Sequence, residues 1–254
     1  MNTQIGSPIQ YTLALGEDQV VMNDLIGSHV HLQATGTQCL NCASTRKKLY
    51  RQGHCYDCFY EIPQTADWIM KPELSKAHLG IEERDLEFEK EVQLKPHVVY
   101  LALSSDVKVG VTRKTQVPTR WIDQGANAAL PIVETPNRYL AGITEVALKN
   151  FVADKTNWRK MLKNDVAEED LMDVRDSLLR HIPEEAKEFV VNDEELTLDY
   201  PIERYPIKVK SLNLTKTPDY SGKLVGIKGQ YLIFDDDIVF NVRSNEGIVV
   251  NLEV

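Results

Sequence analysis

Short apolar runs separated by turn residues dominate the hydrophobic pattern, and they predict a chain with many strands. Residues 8–34 alternate apolar and polar side chains in places, as in IQYTLAL and SHVHLQA, which predicts two or three strands. The charged stretch EERDLEFEKEVQL (82–94) alternates in the same way and predicts an edge strand. Residues 208–254 hold further short apolar runs between turn residues, which predicts a small β barrel or sandwich.

Three strands are predicted in the middle of the chain. VVYLAL (98–103) has the composition of a buried strand, and VKVGV (107–111) is the return strand after the turn Ser-Ser-Asp. LPIVET (130–135) is the third strand of this group. The three runs are close enough along the chain to form one small antiparallel sheet.

The same region contains two helix signals. Thr119 can N-cap a helix over residues 120–127. Asn137, directly after a proline, begins a second helix that we expect to run to about Ala153. The predicted apolar stripe of this second helix consists of Leu140, Ile143, Ala147, Leu148 and Phe151.

The composition is that of an ordinary globular chain. Of 254 residues, 43% are hydrophobic and 26% are charged, and no apolar run approaches the roughly 18 residues of a membrane-spanning helix. The start, MNTQIGSPIQYTLAL, has neither the basic region nor the apolar core of a signal peptide. We therefore expect a cytoplasmic protein without a membrane partner.

Charge is unevenly distributed along the chain, whose net charge is −9. Residues 95–164 carry 11 basic and 5 acidic side chains, whereas residues 165–204 carry 4 basic and 14 acidic ones. The basic middle can attract phosphate groups locally. The acidic segment is expected to contact a protein partner, or to cover the basic region as a mimic of nucleic acid.

All four cysteines fall within one short segment. They form two Cys-x-x-Cys pairs, which place two pairs of thiolates around one point and predict a structural zinc site. The predicted ligands are Cys39, Cys42, Cys55 and Cys58. His54 is an alternative ligand, and the competing interpretation is four free cysteines packed in a core.

The loop between the two cysteine pairs is basic and contains an aromatic residue, Tyr50. Such a loop can contact a phosphate backbone and stack a base, although a solvated loop is an equally good interpretation. Arg113 and Lys114 add basic side chains after the second central strand. The predicted nucleic-acid contacts are Arg46, Lys47, Lys48, Arg51, Arg113 and Lys114.

The order of several motifs resembles the core of GIY-YIG nucleases over residues 97–155. VVY ends at Tyr100, KVGVT contains Gly110 ten residues later, Arg120 lies in the first predicted helix and Glu145 in the next. The resemblance implies a three-stranded antiparallel sheet flanked by helices. It also implies that Tyr100, Arg120 and Glu145 converge on a scissile phosphate, with Glu145 holding one divalent cation, Mg²⁺ or Mn²⁺.

Two positions depart from the GIY-YIG pattern. Lys108 stands where the second tyrosine is expected, and it can act as a base if burial lowers its pKa, or as a phosphate clamp. Gln124 stands where many such nucleases carry a histidine or tyrosine, and an amide is not a general base. The predicted catalytic residues are Tyr100, Lys108, Arg120 and Glu145. In the competing interpretation they are a strand aromatic, an edge lysine and an ordinary ion pair.

Taken together, the cysteine pairs, VYLALSSDVKVGVTR, RWIDQGA, RYLAGITEVALK and GIKGQYLIFDD resemble an uncharacterised bacterial zinc-ribbon family. The predicted fold is α+β, with an N-terminal β segment carrying a zinc ribbon, a GIY-YIG-like sheet with helices, and a C-terminal β barrel or sandwich. The predicted regions are residues 1–95, 96–164, 165–204 (an acidic helical or connecting segment) and 205–254.

Three functions are compatible with this sequence. The first is a nucleic-acid-binding protein that hydrolyses phosphodiesters with a divalent cation. The second is a zinc-containing protein that binds DNA or RNA without cleaving it, and the third is a protein-interaction adaptor. The first two require affinity for phosphates. This affinity should weaken as the salt concentration rises, because Lys and Arg side chains that contact phosphates release counterions from the nucleic acid.

Overall fold

A computed structural model of the protein describes residues 1–152 and 156–254 and divides the chain into two compact units. Unit 1 comprises Met1–Glu61 and Asp199–Val254, and unit 2 comprises Ile62–Leu198. This division differs from the four regions predicted above, because the N-terminal and C-terminal β segments belong to the same unit.

The described residues contain strands, short α-helices and 3₁₀ turns. The strands are β1 (Asn2–Gln4), β2 (Gln10–Leu15), β3 (Asp18–Val21), β4 (His29–Thr37), β5 (His97–Leu103), β6 (Val107–Arg113), β7 (Ala128–Thr135), β8 (Leu196–Thr197), β9 (Lys210–Ser211), β10 (Asp219–Lys228), β11 (Tyr231–Phe234), β12 (Ile238–Asn241) and β13 (Ile248–Glu253). The α-helices are α1 (Tyr56–Glu61), α2 (Asp67–Met70), α3 (Leu86–Gln93), α4 (Thr119–Asp123), α5 (Arg138–Leu148), α6 (Trp158–Leu162) and α7 (Leu171–Leu178). The 3₁₀ turns are Met22–Leu25, Pro63–Thr65, Pro72–Leu74, Ala77–Leu79, Lys114–Gln116, Leu179–His181, Glu184–Phe189 and Arg243–Asn245.

Unit 1 is built from two sheets. Strands β1, β2 and β3 form a small antiparallel sheet, and the larger sheet has the order β13-β4-β10-β11-β12-β9. All neighbours in the larger sheet are antiparallel except β12 and β9. Because β4 pairs with β10 on one side and β13 on the other, the C-terminal strands are not the self-contained barrel or sandwich that the sequence predicted.

Unit 2 is built around an antiparallel sheet of order β6-β5-β7-β8. The three predicted central strands are present as β5, β6 and β7, and the two-residue β8 adds a fourth. Helices α5 and α7 supply apolar side chains to the core of this unit. That core includes Val99, Leu101, Val109, Leu130, Ile132, Ala141, Leu148, Leu171 and Leu178.

The predicted edge strand at residues 82–94 is wrong, because this segment forms α3. The Asp85 carboxylate caps the helix by accepting the N–H groups of Glu87 and Phe88, at 3.1 Å each. The buried carboxylate of Glu89 accepts backbone N–H groups of the preceding loop, including that of Arg84 at 2.8 Å. These local bonds and good helix formers outweigh the alternating pattern.

Both predicted central helices exist but are shorter than expected. α4 ends at Asp123 and follows Pro118, whereas the sequence placed a helix at residues 120–127 with Thr119 as its cap. Asn137 caps α5 as predicted and accepts the N–H of Leu140 at 3.0 Å. α5 ends at Leu148, and the predicted end at Ala153 lies outside the described residues.

The buried face of α5 differs from the predicted stripe. Its buried residues are Ala141, Gly142, Thr144 and Leu148, while Phe151 is 54% exposed. Small side chains face inward because the 3₁₀ turn Pro72–Leu74 lies directly against the helix. A Cβ added at Gly142 would lie only 2.3 Å from the backbone nitrogen of Glu73.

The acidic segment is part of the unit 2 core over most of its length. Asp170 caps α7, and Leu171, Leu178, Ile182 and Ala186 are buried in the core cluster while the acidic side chains lie largely outside. The segment is therefore amphipathic rather than a solvated connector. No helix in residues 1–152 or 156–254 combines the length and apolar character needed to span a bilayer.

Candidate functional site

Strands β5 and β6 bring Tyr100 and Lys108 to the same face of the unit 2 sheet. Tyr100 is paired with Gly110, and Ala102 is paired with Lys108. Side chains two residues apart along a strand point to the same face. The GIY-YIG-like spacing therefore places the tyrosine and the lysine as diagonal neighbours.

Gly110 is required by the position of the Tyr100 ring. A Cβ at residue 110 would lie 2.8 Å from both Cζ and Oη of Tyr100, so the ring crosses the β6 backbone where a side chain would stand. The ring also lies 5.7 Å from that of Trp121, centroid to centroid. The hydroxyl donates a hydrogen bond to Oε1 of Gln124 at 2.9 Å.

Tyr100 is fully buried, and this determines its protonation. Burial raises the pKa of its phenol to about 12, with a lowering contribution from Arg120 and a further raising one from Glu145. The phenol is therefore protonated near neutral pH, where it donates a hydrogen bond and is a poor base.

Lys108 is perturbed in the direction that favours proton acceptance. Its side chain is only 5% exposed. Burial, as the largest cause, and the positive charge of Arg120 together lower its pKa to about 7, although the carboxylate of Glu145 opposes the shift. The amine therefore exchanges its proton near neutral pH, as a general base or acid must.

Arg120 on α4 and Glu145 on α5 are half-buried, and their charges act on both Tyr100 and Lys108. The four predicted catalytic residues thus lie within electrostatic reach of one another, together with Gln124. We call these five residues the central cluster. It combines two cationic groups, one carboxylate, one phenol and one amide.

Arg138 is a member of this neighbourhood that the sequence reasoning missed. It lies two helical turns before Glu145 on α5, and this seven-residue spacing was the available signal. Burial lowers the pKa of Arg138 to about 10, and Glu145 opposes that shift. Its guanidinium donates to the backbone oxygens of Trp68 and Ile69, so much of its hydrogen-bonding capacity is already used.

The two predicted nucleic-acid contacts at the end of β6, Arg113 and Lys114, have different surroundings. Arg113 is half-buried and close enough to Arg138 to lower the pKa of that guanidinium. Lys114 is exposed, but its ammonium is paired with the Glu134 carboxylate at 2.7 Å. An anion approaching Lys114 must therefore compete with Glu134.

The four cysteines of unit 1 converge as their spacing predicted. Their sulfur atoms lie within 4.8 Å of one another, and the Sγ atoms of Cys42 and Cys55 are 3.9 Å apart. A tetrahedral site with Zn–S bonds of about 2.3 Å has sulfur–sulfur edges of about 3.8 Å. The set therefore fits a zinc ion, and His54 is not part of it.

Polar groups lower the pKa of the Cys39 thiol, whereas at Cys58 the Asn41 amide lowers the pKa but the neighbouring cysteines and burial outweigh it and raise the pKa to about 12. The N–H of Cys55 donates to Sγ of Cys39 at 3.3 Å, and the side-chain amide of Asn41 donates to Sγ of Cys58 at 3.3 Å. Burial raises the pKa of the Cys39 thiol, but backbone N–H groups outweigh burial and lower it to about 5.

The basic loop between the cysteine pairs lies on the surface, where Arg46, Lys47, Lys48 and Arg51 are all exposed. The negative charge of the Cys55 thiolate raises the pKa of Arg46, so this guanidinium lies beside the cysteine cluster. Arg51 lies over aromatic rings, with its Cζ 5.4 Å from the ring centroid of Tyr50.

The comparisons with known proteins identify a family but no activity. The model of the family described as "Protein of unknown function (DUF2797)" matches residues 27–250, which include all of unit 2 and most of unit 1, so the chain belongs to this family. No curated protein matches the chain, and no solved structure does. The family and the four-cysteine cluster agree with the uncharacterised zinc-ribbon-like protein expected from the sequence.

Proposed function

We propose that the protein binds nucleic acid and hydrolyses a phosphodiester bond at the central cluster, in the manner that the resemblance to GIY-YIG nucleases implies. The observation that supports this proposal is the electrostatic coupling of Lys108, Arg120 and Glu145 around the buried Tyr100. Perturbed titratable groups of opposite charge are typical of catalytic sites.

The cations of the cluster are suited to a phosphate group. Arg120 can offer a planar pair of N–H donors to two phosphate oxygens, which a lysine cannot do. A bound phosphate would also raise the pKa of Lys108 above its value in the free protein, because a nearby anion favours the protonated amine, so cleavage at saturating substrate needs a higher pH than cleavage at low substrate concentration. Phosphate binding would therefore compensate for the burial of positive charge at this site.

Glu145 is the residue of the cluster that would hold Mg²⁺ or Mn²⁺. One carboxylate fits such an ion if waters and phosphate oxygens supply the remaining ligands, since Mg²⁺ is commonly bound this way. When bound, the ion would stabilise negative charge on the phosphoryl oxygens. Lys108 and Arg120 repel a free cation, so we expect divalent metal to bind together with the phosphate rather than before it.

Lys108 is the better proton acceptor, and Tyr100 is a positioning residue. In the hydrolysis that we propose, a water oxygen forms a bond to phosphorus and gives a proton to Nζ of Lys108, while the bond between phosphorus and the leaving oxygen breaks. The leaving oxygen takes a proton from solvent, and Lys108 returns its proton to solvent. Tyr100 keeps its proton and orients Gln124 through the 2.9 Å hydrogen bond. In this assignment Lys108 is the base and Tyr100 positions a neighbour. The alternative would make Tyr100 the base and Lys108 a residue that only holds the phosphate.

A cleavage assay tests the proposal. Full-length protein is incubated with plasmid DNA, single-stranded DNA or RNA, with Mg²⁺ or Mn²⁺ added or omitted. We expect metal-dependent cleavage whose kcat/KM rises with pH through about 7, as Lys108 of the free protein loses its proton. Glu145→Gln, which keeps the shape but removes the charge, should lower the rate about 100-fold or more.

The matched control is Glu87→Gln on α3, where an exposed carboxylate pairs with Lys90 at 3.0 Å. It should cleave like the wild type. If clean protein cleaves none of the three substrates with either metal, or if Glu145→Gln cleaves at the wild-type rate, the hydrolase proposal is wrong.

A nucleic-acid-binding protein without catalysis is the second candidate. It is favoured by the complete burial of Tyr100 and by Gln124, which accepts a hydrogen bond from the phenol and is not a general base. Salt-sensitive binding without cleavage would support this candidate. A protein-interaction adaptor that uses the acidic face of residues 165–204 would instead show no affinity for nucleic acid at low salt.

We also propose that the four-cysteine cluster holds a structural zinc ion. Four sulfur ligands complete the tetrahedral shell, so no position is left for a substrate. The ion would order the two short turns around the cysteines, which have few apolar side chains of their own.

A further inference from the structure

Beside the cysteine cluster, three tyrosines form an exposed aromatic surface. Tyr56, Tyr60 and Tyr50 are 62%, 49% and 40% exposed. The rings of Tyr56 and Tyr60 lie 4.8 Å apart, centroid to centroid, and that of Tyr50 lies 5.2 Å from Tyr56. We call Tyr50, Tyr56 and Tyr60 the tyrosine surface. Exposed aromatic residues that are clustered, unlike scattered ones, mark binding sites.

The arrangement of α1 explains why these rings face outward. Cys58 and Phe59 are buried on the inner side of this helix, whereas Tyr56 and Tyr60, four residues apart, share the outer side. The hydroxyls of Tyr50 and Tyr60 lie 3.0 Å apart and join the two segments. The short helix therefore presents its rings on a support that the cysteine cluster holds in place.

Positive charge borders the tyrosine surface. Lys47 and Lys48 shortly precede Tyr50 in the chain, and Arg51 follows it directly. The Arg51 guanidinium lies over the Tyr50 and Phe59 rings. Residues 39–61 contain four Lys and Arg against two Asp and Glu, Asp57 and Glu61, whereas the whole chain has a net charge of −9. Aromatic faces next to cations match alternating bases and phosphates.

From these observations we infer that the tyrosine surface binds unpaired bases, so that the protein recognises single-stranded nucleic acid. This inference rests on the proposed function, because it names the class of nucleic acid that the protein binds. Bases in a duplex are stacked on their neighbours and cannot stack on tyrosine rings, whereas unpaired bases can. The backbone phosphates would contact Lys47, Lys48 and Arg51.

Binding assays on full-length protein test this inference. Fluorescence anisotropy measures affinity for an oligothymidine of about 20 nucleotides, a duplex of the same length and an abasic strand of the same length. The abasic strand keeps the phosphates and lacks the bases. We expect the oligothymidine to bind most tightly, and Tyr56→Ala and Tyr60→Ala each to weaken its binding by roughly 5- to 150-fold, the range for loss of one stacked base.

Two variants serve as controls. Tyr60→Phe keeps the ring but loses the hydroxyl contact with Tyr50, so it should bind much more tightly than Tyr60→Ala. Phe151→Ala removes an aromatic residue that is 54% exposed in unit 2 and should have no effect. Zinc content and the unfolding temperature of each variant show that the cysteine cluster is intact. A loss of affinity in Tyr60→Ala that Tyr60→Phe does not share assigns the effect to the ring.

Any of three results would overturn the inference while leaving the proposed function standing. The first is equal affinity of the wild type for the oligothymidine and the abasic strand. The second is unchanged oligothymidine binding in both alanine variants, and the third is an equal loss of affinity for single strand and duplex in those variants. If the wild type binds none of the three probes at low salt, both the inference and the proposed function are wrong.

Discussion

At the scale of single residues, burial changes the chemistry of the central cluster most. Tyr100 and Lys108 are diagonal neighbours on one sheet face, and burial shifts their pKa values in opposite directions because it disfavours the charged form of each: the phenol stays protonated and the amine becomes easier to deprotonate. Burial of the protonated Lys108 also lowers the free energy of unfolding. This effect on stability can be measured without knowing the substrate.

Replacement of Lys108 by methionine should stabilise the protein most at low pH. The lysine pKa falls from 10.5 to about 7 on folding, so the unfolded state binds more protons between these values and wild-type stability rises with pH there. A shift of this size corresponds to roughly 5 kcal/mol at most, present in full below pH 7. Lys108→Met should therefore gain most below pH 7 and progressively less above it.

Urea unfolding of both proteins at several pH values measures this difference. Lys90→Met on the exposed side of α3 is the matched control, and it should show no comparable pH-dependent gain. A gain in Lys108→Met that is the same at pH 6 and pH 9 would contradict the proposed burial of charge.

At the scale of elements, the position of α5 determines where Glu145 and Arg138 lie. The helix begins at the Asn137 cap and packs against the 3₁₀ turn Pro72–Leu74 through Gly142. This contact joins backbone to backbone, so it cannot adjust by the movement of a flexible side chain. Gly142 therefore sets the distance between α5 and the turn Pro72–Leu74. The predicted apolar stripe of the helix does not make this contact.

Gly142→Ala should therefore destabilise unit 2. The new Cβ would lie 2.3 Å from the Glu73 nitrogen and 2.5 Å from the Pro72 carbonyl carbon, so the turn or the helix must move. Overpacking of this kind costs about 1–3 kcal/mol. Thermal unfolding measures the loss, and Gly36→Ala, where nothing lies within 4 Å of the new Cβ, is the control. Equal unfolding temperatures for the two variants would show that the contact has no such role.

At the scale of the whole molecule, the two ends of the chain depend on one sheet. β4 comes from the N-terminal segment and lies between β10 and β13 from the C-terminal segment. The cysteine cluster follows β4 directly, and Gln38 donates its backbone N–H to Gly247 just before β13. The conformation of the cysteine turns therefore affects the pairing of β4 with β13 at the edge of the large sheet.

Loss of zinc should destabilise unit 1 as a consequence. We expect purified protein to contain one zinc ion, and Cys55→Ser to lose it and to unfold at lower temperature, because metal binding supplies folding free energy to such segments. Elemental analysis and thermal unfolding measure the two effects. Ser44→Ala, beside Sγ of Cys42 at 3.0 Å, should keep the ion. A zinc-free wild type with the same unfolding temperature as Cys55→Ser would contradict the proposal.

Features that depend on neighbours in the sequence were predictable. Two Cys-x-x-Cys turns bring four sulfurs together because each turn is only four residues long, and β5 pairs with β6 because a short turn joins them. The cap at Asn137 is local in the same sense. Each of these depends on a contact between residues that the chain holds close together, so spacing alone is sufficient.

Features that depend on distant packing were decided only by the tertiary structure. β4 pairs with β13 across more than 200 residues of sequence, and α3 is a helix although its pattern alternates like a strand. The pKa directions of Tyr100 and Lys108 also needed the fold, because burial and the charges of Arg120 and Glu145 set them. The sequence by itself determined which chemical groups could meet, and long-range packing decided which of them are buried, and therefore what each can do.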